Sequence, residues 1–152
     1  MGFFDSALTP ASTLEPLTVE RLRTALTQLE VNLEEEDGNL IAHFEQGYFF
    51  FMVLGDGQVL NVRGTWRGHL PAEGLAAAST LTENWNREMM IPKTYPATIN
   101  EGDADLVLLL AECAFPTGRG LTDDQLIELV STGISACLNF FEVATGQLGG
   151  DA

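Results

Sequence analysis

Basic side chains are scarce in this chain of 152 residues: seven Lys and Arg stand against 22 Asp and Glu, a formal net charge of −15. A surface of that sign repels phosphate backbones and anionic lipid, which excludes nucleic acid and membrane as partners. Cysteine and histidine are scarce too, limited to Cys113, Cys137, His43 and His69. None is spaced as in a zinc or thioredoxin motif, so the sequence assigns no metal, no cofactor and no redox centre, and reduced thiols fit a cytoplasmic protein. Long apolar runs are also missing. The longest, Tyr48 to Leu54, falls well short of the roughly 20 residues of a spanning helix. The opening MGFFDSALTP has neither the basic nor the apolar region of a secretory signal.

What is present is the composition of a foldable domain, 45% apolar and only 19% charged, which excludes wholesale disorder. Residues 1–16, interrupted by Pro10 and Pro16, are expected to form a flexible arm. Residues 17–145 read as one α+β domain and 146–152 as a tail. Thr18 is placed to cap a first helix, with Leu17 and Leu22 as a hydrophobic staple and Ala25, Leu26 and Leu29 continuing the apolar stripe. Between residues 31 and 67 the period drops to two, with turn signals at Asp37-Gly38-Asn39, Glu45-Gln46-Gly47 and Gly55-Asp56-Gly57. An antiparallel meander of three or four strands is expected there. Tyr48 to Leu54 is apolar at odd and even positions alike, which predicts a strand covered on both faces. In the next strand Leu60, Val62 and Trp66 share a dry face, while Asn61, Arg63, Thr65 and Arg67 share a wetter one.

Pro71 is expected to open a second helix, to about Met89, on a stripe of Leu75, Ala78, Leu81, Trp85 and Met89. Thr94 to Asn100 and Leu106 to Phe115 then read as a hairpin. Thr122 and Gln125 form a capping box launching a third helix to about Thr145. The fold class is therefore α+β, an antiparallel sheet with three helices in the order α-β-β-β-α-β-β-α.

Catalytic signatures are not found. Gly118-Arg119-Gly120 lacks the rest of a phosphate loop, and Glu101, Asp103 and Asp105 lack the remainder of a calcium loop. Glu34-Glu35-Glu36-Asp37 reads as a soluble sheet edge. Glu112 alternates with Leu106, Leu108 and Leu110, so it ends an apolar face where Arg63 or Arg67 can pair with it. A small-molecule or enzymatic pocket near Arg63, Arg67 and Glu112 is the runner-up functional reading. The third helix carries more apolar surface than one core needs. Leu126, Ile127, Val130, Ile134, Cys137, Leu138 and Phe141 cover about 120°, and Leu129, Gly133, Ala136, Phe140 and Val143 widen the arc to roughly 220°. Either this helix lies deep in its own domain, or the flank from Leu129 to Val143 is a contact with a second copy or another protein.

Trp85-Asn86, the run Ile91-Pro92-Lys93-Thr94-Tyr95-Pro96, and Gly120-Leu121-Thr122-Asp123-Asp124-Gln125-Leu126, together with the order of elements, resemble the YbjN family over residues 17–145. Ile91 stands where the family commonly has Trp. Members are bacterial proteins described as sensory transduction regulators, with a fold similar to the type III secretion chaperones. The resemblance implies a small α+β protein that binds other proteins without catalysis, and it transfers no catalytic or ligand residues. The resulting expectation is a cytoplasmic, non-enzymatic regulator or chaperone-like adaptor that binds a protein or peptide client as a homodimer. Its acidic surface favours a client with an apolar contact and a basic rim.

Overall fold

The computed structural model describes residues 13–149, so most of the expected arm (1–12) and the end of the tail (150–152) lie outside the described residues. The described end of the arm is tied down. Glu15 exchanges backbone hydrogen bonds with Leu121. Leu17 is buried, and the Thr18 hydroxyl accepts from the Arg21 N–H to cap α1 (Val19–Gln28). Leu22, Ala25 and Leu26 form the buried stripe of that helix.

Four strands follow, of the three or four expected: β1 (Leu33–Glu36), β2 (Asn39–His43), β3 (Gly47–Leu54) and β4 (Val59–Trp66). The acidic run expected as a soluble sheet edge supplies Glu34, Glu35 and Glu36 of β1, with Asp37 in the turn that follows. Its place at the margin of the sheet explains how three consecutive glutamates are tolerated, since charge on an edge strand opposes pairing with a further chain. A two-residue strand, β5 (Leu70–Pro71), and one turn of 3-10 helix precede α2 (Leu75–Glu88), so Pro71 ends a strand instead of opening the helix. The hairpin β6 (Lys93–Glu101) and β7 (Ala104–Pro116) leads to α3 (Asp123–Leu148). Thr122 and Gln125 make the capping box predicted for its start.

The sheet is antiparallel, in the order β1-β2-β3-β4-β7, with β6 on the far side of β7. All three helices lie against one face. The rings of Phe141 on α3 and Phe49 rest where a Cβ on Gly64 would sit, 2.9 Å away, so only glycine admits them there. Cys137 on α3 donates to the Ala111 carbonyl of β7 at 3.5 Å. Trp85 of α2 meets Phe140 of α3 edge to face, centroids 5.2 Å apart. By length and composition α3 could cross a bilayer, but eight of its residues, from Leu126 to Ala144, are buried within the fold.

The prediction that β3 is covered on both faces is corrected. Phe49 and Phe51 are buried under the helices, whereas Tyr48, Phe50 and Met52 point to the opposite side and are only half-buried. Among the described residues no helix lies on that side.

Candidate functional site

The uncovered face is ordered by strand register. One row runs Glu34, Ile41, Phe50, Arg63, Glu112, Lys93 across β1, β2, β3, β4, β7 and β6. The next runs His43, Tyr48, Thr65, Leu110, Tyr95. At the basic end Glu112 is held by Lys93, Nζ to Oε1 3.6 Å, and accepts from Asn61 Nδ2 at 3.2 Å. The Lys93 ammonium lies 5.2 Å over the Tyr95 ring, and the Arg63 guanidinium 5.8 Å over Phe50. Burial, then the adjacent Glu112 carboxylate, raises the Tyr95 hydroxyl above its ordinary pKa, with Arg63 pulling the other way.

Of the three residues grouped by the sequence reading, the structure joins two. Arg63 stands directly across from Glu112 in the register. Arg67 lies beyond the end of β4 and donates instead to the Phe44 carbonyl at 2.7 Å. Glu112, with an amine and an amide already on its oxygens, is placed to balance charge on a sheet face, and no histidine or thiol nucleophile adjoins it in this row. His43 is paired at the other margin with Glu34, 3.3 Å away, and His69 is exposed in a loop.

The α3 flank is corrected in part. Phe140 is fully buried against Trp85 and Phe141. Gly133 is buried too, and a Cβ there would lie 3.1 Å from Val62 of β4. The wide apolar arc is needed internally because one helix serves the sheet beneath it and helices on both flanks. Leu129, Ala136 and Val143 are half-buried. Leu129 borders a groove with Leu121 and Gln125. Ala136 and Val143 border two shallow grooves that share Trp85 and Met89.

These grooves run up to a feature the sequence reading missed. Met89, Met90 and Ile91 protrude after α2 with relative exposures of 49%, 97% and 40%. Met89, expected on the helical stripe, instead caps the helix end, and the available signal is three large apolar residues immediately before Pro92. The segment is held from behind: Trp85 Nε1 donates to the Pro92 carbonyl at 3.2 Å, and Asn86 bonds Thr94.

At the other end of the molecule, Arg21 donates to the carbonyls of Glu15, Pro16 and Leu121 and to Asp123 Oδ1. Gly118-Arg119-Gly120 is accordingly a helix-start turn closed by this staple, and a Cβ on Gly120 would meet the Glu15 carbonyl at 2.8 Å. Cys113 and Cys137 are free and buried. The neighbouring Cys113 sulfur, with burial, pushes the Cys137 thiol up. Among the described residues no three His, Cys, Asp or Glu side chains gather as a metal site.

The residues around Trp85, Asn86 and Thr94 carry the sequence resemblance, and a family-wide sequence profile decides it: YbjN, described as "Putative bacterial sensory transduction regulator", matches residues 18–145. The chain belongs to the YbjN family. No curated protein matches it. A solved structure described as "Crystal structure of YbjN, a putative transcription regulator from E. coli" superimposes with a TM-score of 0.71, at 11% identity over 88% of this chain and 96% of that one. At that identity the likeness establishes the shared fold. The family description is that of a regulator and names no enzymatic activity.

Proposed function

We propose that this YbjN-family chain is a cytoplasmic, non-enzymatic adaptor that regulates by binding a protein or peptide client, and that it acts as a homodimer. The observation that carries client binding is the Met89-Met90-Ile91 tip beside grooves bordered by Ala136 and Val143. Methionine adapts its unbranched side chain to varied apolar partners, so an exposed pair of methionines suits capture of an apolar segment. The net charge of −15 favours a client with a basic rim, steering encounter more than holding the complex. Added salt should therefore slow association and change dissociation little.

The test is a photo-reactive residue in place of Met90 in the native cell, with the same group in place of Glu101, at the turn of the β6–β7 hairpin, as control. A protein adduct formed from position 90 and absent from position 101 supports the reading. No adduct, or the same adducts from both positions, overturns it.

A further inference from the structure

We propose that Cys113 and Cys137 form a thiol-modification site whose oxidation by peroxide closes a disulfide between β7 and α3. Their spacing in sequence makes no redox motif, and it is the packing of the two elements that brings the thiols together. Both are free and buried, and neither belongs to the Met90 tip, so the inference stands apart from the adaptor reading. Gly133 seats α3 close on the sheet, since a Cβ there would lie 3.1 Å from Val62. Val62 stands directly across from Cys113 in the β4–β7 register. Cys137 follows Gly133 by about one helical turn and so projects from the same face of α3. Its Sγ reaches the Ala111 carbonyl of β7 at 3.5 Å. Ala111 and Cys113 are alternate residues of that strand, so their side chains share the helix-covered face about 7 Å apart, and both are buried there. The two sulfurs are neighbours, and the Cys113 sulfur is the first cause of the raised Cys137 pKa.

Position sets the order of the chemistry. Cys137 is fully buried, its thiol donates to the Ala111 carbonyl, and burial beside the Cys113 sulfur keeps it protonated. Cys113 retains 3% exposure, so the first attack falls to it. Its thiolate attacks one oxygen of hydrogen peroxide and the O–O bond breaks. Cys113 becomes a sulfenic acid, and the departing hydroxide takes up the thiol proton as water. The Cys137 sulfur then attacks the sulfenic sulfur, the S–O bond breaks, and the hydroxyl leaves with the Cys137 proton as a second water. Two thiols and one peroxide thus give one disulfide and two waters, both electrons passing from the sulfurs to the peroxide. With the sulfurs enclosed, peroxide enters through brief openings of the core, so the reaction is slower than that of an exposed thiol. In a reducing compartment such a bond is transient, and small thiols reverse it. While closed it fastens α3 to the sheet, and Ala136, the residue before Cys137, borders the groove beside Met89.

Intact-mass spectrometry of the full folded chain tests this. The protein is treated with hydrogen peroxide, then unfolded in guanidinium with iodoacetamide. The expected product is a single chain about 2 Da lighter that resists alkylation. Dithiothreitol should restore two alkylatable thiols, and proteolysis should yield one peptide pair joining positions 113 and 137. Cys137→Ala removes the resolving sulfur and should leave a sulfenic acid at Cys113 that dimedone labels, whereas Cys113→Ala should leave Cys137 unmodified over the same time. The wild-type mass is decisive even where a variant fails to fold. Two alkylatable thiols persisting in the folded chain, at a peroxide exposure that fully crosslinks the urea-unfolded chain, overturn the proposal. So does a disulfide found only between two chains, or sulfinic acid formed in place of the disulfide.

Discussion

The side-chain amide of Asn86 pairs with both backbone groups of Thr94: Nδ2 donates to the Thr94 carbonyl at 2.9 Å, and the Thr94 N–H donates to Oδ1 at 2.9 Å. The Thr94 hydroxyl lies 3.1 Å from the same Oδ1 and 3.2 Å from the Thr82 carbonyl. Thr94 is on β6, the margin of the sheet, and is almost fully buried. An asparagine on α2 thus satisfies an edge that would otherwise leave buried backbone unpaired. Asn86→Asp keeps the acceptor, removes the donor and sets a carboxylate oxygen against a carbonyl. It should cost about 2–3 kcal/mol in urea unfolding. An unchanged midpoint would show that the clamp contributes nothing.

Gly133 allows α3 to settle on Val62, and a bulky residue there has nowhere to go. Gly133→Leu should lower stability by at least about 1–3 kcal/mol through overpacking, measured by thermal or urea unfolding. Its effect belongs to the fold of one chain, so it should precede any change in oligomeric mass.

Phe140 and Met90 make a contrasting pair, one fully buried and the other 97% exposed. Phe140→Ala should cost about 3–5 kcal/mol by leaving a cavity beneath Trp85. Met90→Ser should move stability by less than about 0.5 kcal/mol while weakening client capture. Equal effects on stability would contradict these placements.

Tyr95 supplies the pH prediction. Its folded pKa lies above the ordinary 10.0, so the unfolded chain releases that proton first. The contribution to stability is present below pH 10 and is lost as pH rises through the folded value. Ultraviolet titration in a Tyr48→Phe background isolates this phenol. Glu112→Gln should lower its midpoint by removing the neighbouring negative charge, and a midpoint that rises or stays fixed would contradict the arrangement.

The sequence by itself determined those elements whose causes lie within a few residues of one another. Thr18 and the Thr122–Gln125 box start two helices, glycine turns separate the first four strands, and alternation assigns Leu60 and Val62 to the core. It also carried the family assignment, through Trp85, Asn86 and the Pro92 to Pro96 run. Strand count was open between three and four because a run of glutamates masks a weak period of two. Tertiary structure alone decided which apolar surfaces are spent inside. A helix period records that Gly133, Phe140 and Ala136 share a flank, but not that α2 covers Phe140 and leaves Ala136 in a groove. Tyr48, Phe50 and Met52 read as doubly covered because hydrophobicity is the same whichever side the helices take, and all three helices took the other. Arg63 and Arg67 look equivalent by alternation, yet the register sets only Arg63 across from Glu112. These choices depend on contacts between residues tens of positions apart, and local spacing carries no record of them.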